Sequence, residues 1–187
     1  TDMNDDAFGG RYRFGLVLIR EAGDLALGYF HKRDSLTIQS KGPQDMASEA
    51  DVNTELLIRK PLAEAFPQDA FLGEETGMTE YAADQGIWVV DPIDGTQPFI
   101  SGMSAWCVSI AYLQGGELRF GMVYAPARGE LFAGGQGIAA TLNGKALAPH
   151  PGRTIRDGLC CVGHAPRVGP DVLLPIFERL IRAGGMY

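Results

Sequence analysis

The sequence predicts a mixed α/β (α+β) fold with a mainly antiparallel sheet, and three observations lead there. Two helical periodicities open the chain, a series of short apolar runs separated by Gly and Asn turns follows, and one further helical pattern comes last. A regular βαβ repeat would alternate helix and strand, and this order does not. With 187 residues, 45% of them hydrophobic, and a mean hydropathy of -0.03, the chain has the apolar content of a packed core.

From Arg11 to Lys32 the residues Phe14, Leu18, Ala22, Leu25 and Tyr29 recur at helical spacing, and Lys41-Gly42-Pro43-Gln44 breaks that pattern. A second helix is expected from Ser48 to Phe66, with Ser48 as cap and Glu49 and Asp51 at the positive end of its dipole. Pro61 predicts a kink or break within it, because an interior proline costs about 3 kcal/mol. Phe71 to Gly73 and Ile87 to Val90 read as buried strands that deliver carboxylates at their ends. Residues 107–113 and 118–124 flank Gln114-Gly115-Gly116-Glu117 as a hairpin. Further strands are expected at 130–133, 137–142 and 158–162, and a helix at 171–183 with Leu173, Leu174, Phe177, Leu180 and Ile181 on one side. The division expected is an N-terminal α+β lobe over 1–150 and the start of a second α/β lobe over 151–187.

A net charge of -7 argues against direct nucleic-acid binding, which needs a dense Lys/Arg face, and suits divalent cations. Cys107, Cys160 and Cys161 read as buried thiols in a reducing compartment, since neighbouring cysteines make a strained disulfide. No apolar run reaches the roughly 20 residues that span a bilayer, and the first residues lack a signal-peptide pattern. A cytoplasmic protein without membrane contact is therefore expected.

The chemistry concentrates in Trp88-Val89-Val90-Asp91-Pro92-Ile93-Asp94-Gly95-Thr96. Asp91 and Asp94 are three apart, so a plain strand would point them to opposite faces; Pro92 is expected to end the strand and turn both carboxylates into one cavity. Gly95 and Thr96 would then open a short helix whose unpaired backbone N–H groups suit a phosphate. Hard carboxylate oxygens beside an anion cradle are what a Mg²⁺-dependent phosphate enzyme needs. Taken alone, Asp-Pro and Asp-Gly are also ordinary turn formers, and Asp94 reads as a helix cap. Gly73-Glu74-Glu75 likewise reads as a solvated loop, and Asp45 to Asp51 as an acidic helix start. His31, His150 and His164 show no metal-ligand spacing, His164 being the nearest to a site role.

In combination and in this order, the three acidic segments resemble the signatures of one family. Asp45 to Asp51 resembles its D-x-V-T-x-x-D element, with Ala47 and Ser48 in the middle places. Gly73-Glu74-Glu75 resembles its G-E-E box, and WVVDPIDGT its W-x-x-D-P-[IL]-D-G-T signature, with Phe99-Ile100-Ser101-Gly102 following as usual. The family is that of the inositol monophosphatases, lithium-sensitive and Mg²⁺-dependent sugar-phosphate phosphatases. The resemblance implies a layered αβαβα sandwich, two or three Mg²⁺ ions, and hydrolysis of a small phosphomonoester by metal-activated water without a covalent intermediate. It implies Glu74, Asp91 and the Ile93 carbonyl as ligands of the first ion, with Asp91 bridging to a second ion that Asp94 also holds. Gly95 and Thr96 would donate backbone N–H groups to the phosphate, and Asp51 with the Thr96 hydroxyl would orient and deprotonate the water. Glu74 would also hold the water shell of a third ion, and Lys41 resembles a lysine at the site mouth. The physics is consistent, since a bound metal lowers the pKa of water and paired ions about 3.5 to 4 Å apart stabilise attacking and leaving oxygens.

Two departures stand out. Gln97-Pro98 replaces the usual small polar residue and Asn, and the Phe99-Ile100-Ser101-Gly102 ending resembles the histidinol-phosphate phosphatase branch as closely as the inositol branch; the substrate expected first is inositol monophosphate, with histidinol phosphate or another sugar or nucleotide phosphate as the alternative. A Trp-Asp box is missing, because neither Trp88 nor Trp106 precedes an aspartate, and this predicts an incomplete C-terminal lobe. A homodimer is implied as the assembly. The contrasting possibility is a non-catalytic member that serves as an interaction surface in RNA or transcription complexes.

Overall fold

The computed structural model of the chain describes residues 6–36, 38–42, 45–163 and 168–185. It divides into two compact units, Thr1–Leu147 and Ala148–Tyr187. In the first unit, helix α1 (Asp6–His31) is followed by strands β1 (Ile38–Gly42) and β2 (Asp45–Ser48), and then by helix α2 (Glu49–Ala65). Strands β3 (Ala70–Gly73), β4 (Gly77–Met78) and β5 (Gly86–Asp94) lead to the short helix α3 (Thr96–Ile100). A meander of β6 (Cys107–Gln114), β7 (Glu117–Ala125), β8 (Glu130–Gly135), β9 (Ile138–Leu142) and β10 (Lys145–Ala146) completes the unit. The second unit carries helix α4 (Pro170–Arg182).

Eight strands form one sheet in the order β10-β9-β8-β7-β6-β5-β3-β4. Only β3 and β5 run parallel, with Phe71 opposite Trp88 and Gly73 opposite Val90; each remaining pair is antiparallel. The expected mixed fold and mainly antiparallel sheet are therefore present. The hairpin turn is the two-residue Gly115-Gly116 connection, with both residues at positive φ (62° and 76°), a conformation that glycine adopts without steric cost.

Helices α1 and α2 pack on the sheet through β5, β6 and β7. Every second residue of β5 from Gly86 to Val90 is buried, and the Trp88 ring meets Phe66, Tyr112 and Phe120 at centroid distances of 5.8, 5.0 and 5.7 Å. Asp69 anchors this layer at the end of the sheet where β5 begins. It accepts two hydrogen bonds from Arg11 (2.7 and 2.9 Å), one from the Trp88 indole (3.0 Å) and one from the Tyr112 hydroxyl (3.4 Å). A cavity of about 400 Å³ lies beside this cluster, lined by Arg11, Asp69, Asp84 and Tyr112 among others.

Several expectations need correction. Helix α2 does not break at Pro61; Ile58 and Leu62 on either side are buried at 0% and 3% exposure, so core packing holds both turns and only one intrahelical bond is lost. Residues 45–48 form a strand paired with β1 rather than the start of a helix, and helix α2 begins after them. Residues 158–162 form no extended strand: Leu159 makes an isolated β-bridge and is 70% exposed, so the pairing does not propagate along the segment. None of the three cysteines is buried: Cys107 and Cys160 are half-buried and Cys161 is exposed. On α4, Leu173, Phe177 and Leu180 are half-buried while Leu174 and Ile181 are exposed, which narrows the expected apolar side.

Candidate active site

The site is assembled where α2 begins and where β3 and β5 end. Ser48 caps α2: its hydroxyl oxygen accepts from Ala50 N (3.2 Å), while its own backbone N–H and hydroxyl donate to Asp51 Oδ2 at 2.8 and 2.6 Å. This capping box fixes Asp51, which is 1% exposed, and leaves Oδ1 to accept from the Thr96 hydroxyl at 3.1 Å. The Thr96 Oγ1 also stands 3.1 Å from the Ile93 carbonyl oxygen, and its single proton serves one acceptor at a time.

Pro92 does not end the strand, because β5 continues to Asp94. Between Asp91, opposite Ser109, and Asp94, opposite Cys107, β5 advances three residues while β6 advances two. This bulge, rather than a strand end, interrupts the alternation and brings the two carboxylates into each other's field. Gly95 follows with φ +91°, and a Cβ there would lie 2.8 Å from the Ala105 carbonyl oxygen, so the turn into α3 requires glycine. The Gly95 carbonyl accepts from Phe99 N (2.9 Å), while Pro98 offers no N–H.

Glu74 stands just past β3, its backbone N–H bonded to the Val90 carbonyl at 3.2 Å, which continues the β3–β5 ladder to the neighbour of Asp91. Burial pushes the Asp91 carboxyl up to about 8, helped by the Glu74 charge, a hydrogen bond shared with Glu74 and the Asp94 charge. Asp91 Oδ1 is buried without a hydrogen-bond partner. Three acidic groups that repel one another around an orphaned carboxylate oxygen, beside a carbonyl, make a donor set suited to a hard divalent cation. Among the described residues, no three acidic, histidine or cysteine side chains converge closely enough to enclose an ion.

Cys107 points its thiol at Asp94 Oδ2 (3.8 Å), and burial with the Asp94 and Asp91 charges raises it to about 12, so it is a neutral donor there. His31 ends α1 and is exposed, and His150 in the second unit accepts from Gly152 N at 3.0 Å. His164 lies outside the described residues, as does the Lys41 side chain. Glu55, fully buried on α2, accepts from the Glu75 and Thr76 amides at 2.8 and 2.9 Å, and sequence reasoning overlooked it. Its signal was its place one helical turn after Asp51, on the same face.

A match to the inositol monophosphatase family runs over residues 12–179. The chain belongs to this family. A histidinol-phosphatase of Chlorobaculum parvum is 40% identical over 136 residues, 72% of this chain and 51% of its own length. A Nus factor SuhB of Xylella fastidiosa is 33% identical over 148 residues, 79% of this chain and 53% of its own. The crystal structure of the extragenic suppressor protein SuhB from Bartonella henselae superposes with a TM-score of 0.79 at 28% identity, covering 92% of this chain and 67% of that one. The chain thus spans about half the length of the curated relatives it matches. Among the described residues, no helix is long and apolar enough to cross a membrane.

Proposed function

We propose that this chain carries the metal-binding and water-orienting part of a phosphomonoesterase site, acting on inositol monophosphate or histidinol phosphate. The observation that carries the reading is the Thr96 hydroxyl, 3.1 Å from the buried Asp51, on the segment that follows the end of β5, where the Asp91 carboxylate interacts with those of Glu74 and Asp94. Asp51 Oδ2 is already held by Ser48, so Oδ1 alone is available to draw the Thr96 proton. A Thr96 lone pair is then directed outward to accept a proton from the attacking water, which Asp51 stabilises by general-base action. Glu74, Asp91, the Ile93 carbonyl and Asp94 would hold Mg²⁺, which when bound supplies the positive charge that acidifies water and offsets the phosphate charge. The Gly95 and Thr96 backbone N–H groups orient the phosphate oxygens. No covalent intermediate is required.

Support for the substrate class comes from the family and from the histidinol-phosphatase among the similar proteins. The test is phosphate release from each of the two substrates across a Mg²⁺ titration, comparing the native chain with Asp51→Asn. The expected result is Mg²⁺-dependent turnover that falls about 10²- to 10⁴-fold in the variant; turnover equal in both chains would sink the reading. The Nus factor SuhB likeness favours a second reading, a partner-binding protein on the same fold. Asp94→Asn separates the two, since it should abolish turnover and leave partner binding intact.

A further inference from the structure

Glu55 is a carboxylate at 0% exposure that touches none of the atoms assigned to water, phosphate or cation, yet it lies in the same scaffold. Burying such a group is costly unless it is hydrogen-bonded, and what satisfies it here is the backbone of the Glu74 turn. Its two oxygens accept separately from consecutive amides: Glu75 N to Oε2 at 2.8 Å and Thr76 N to Oε1 at 2.9 Å. The approach is close enough that a Cβ on Gly73 would collide with the Glu55 carboxylate, so the glycine before Glu74 makes room for this grip. On the other side of Glu74, its own N–H is tied to the Val90 carbonyl, next to Asp91. Glu74 is thus fixed from both flanks, by β5 before it and by α2 after it.

We propose that Glu55 is a positioning residue that sets where Glu74 stands relative to Asp91 and so tunes cation affinity. The inference rests on the reading of Glu74 and Asp91 as cation ligands. Helix α2 then acts as a ruler. Asp51 at its start holds Thr96, and Glu55 one turn later holds the Glu74 turn, so one rigid element spaces the water-orienting pair from the cation ligands. Glutamine at position 55 keeps the volume and one acceptor but replaces the other with an NH₂ donor, which cannot accept from a backbone N–H.

The test is Mg²⁺ binding to the native chain, Glu55→Gln and Glu74→Gln by titration calorimetry, with near-UV circular dichroism to check that each variant is folded. The expected result is an affinity about 10- to 100-fold weaker in Glu55→Gln, the range known for groups that orient metal ligands, and a larger loss in Glu74→Gln. Affinity in Glu55→Gln equal to native, with Glu74→Gln impaired, overturns the positioning role alone. A native chain that binds no Mg²⁺, or a Glu74→Gln variant that binds like native, overturns the ligand reading and this role with it. Should Glu55→Gln fail to fold, hydrogen exchange on the native chain decides: strong protection of the Glu75 and Thr76 amides is expected, and exchange as fast as an open loop overturns the grip.

Discussion

Asp51 carries two assignments at once, helix cap and partner of Thr96, and its two oxygens divide them: Oδ2 faces Ser48 and Oδ1 faces Thr96. The division predicts separable phenotypes. Thr96→Ala should lower phosphate release about 10²-fold or more while Thr96→Ser retains most of it, as steady-state kinetics would show. Ser48→Ala should instead cost about 1 kcal/mol of stability through the lost cap, read from the urea midpoint. At Asp91 the folded chain holds its carboxyl at about 8, well above the ordinary value of 3.8. The folded state therefore binds more protons than the unfolded one across that window, so stability in chelator should fall as pH rises through it. Comparing urea midpoints at about pH 6 and about pH 8 checks the sign, and Mg²⁺ should shrink the drop by supplying the missing counter-charge. A midpoint that rises with pH in chelator would contradict it.

Among the elements, α2 and β5 show where sequence reasoning reached and where it stopped. Start and capping residue of α2 were legible because a Ser followed by acidic residues has a local mechanism. Its continuity through Pro61 was not, because the cost of the proline is local while the compensating burial of Ile58 and Leu62 depends on distant strands. Pro61→Ala should therefore stabilise the chain by about 1 kcal/mol or more, measured by chemical denaturation, by restoring one backbone hydrogen bond. In β5 the two aspartates were legible as partners, but their means of meeting was not. A bulge is defined by the register of the neighbouring strand, and β6 is not written into the Asp-Pro-Ile-Asp segment. Glu55 was missed for a similar reason: a buried glutamate looks like any helix-surface glutamate until the turn it serves is in place.

At the scale of the whole molecule, the buried core among the described residues lies in the first unit, from Leu18 to Ala133, with half-buried neighbours from Phe8 to Ile138. Removing residues 148–187 should then leave the eight-stranded sheet and its near-UV signal intact, with cooperative unfolding retained; loss of cooperativity would show that the unit does not stand alone. Asp69→Ala should cost about 2 kcal/mol, measured by chemical denaturation, because it removes the acceptor of the buried Trp88 indole and of the Tyr112 hydroxyl.

The sequence by itself determined the fold class, the hairpin at Gly115-Gly116, the helix cap and the family, because each rests on local patterns of residue type and spacing. Only the tertiary structure decided which carboxylate oxygen serves Thr96, how Asp91 and Asp94 meet across a bulge, and that Glu55 holds the Glu74 turn. Those are relations between segments 13 or more residues apart; they exist only after the sheet has fixed its register and the helix has packed on it.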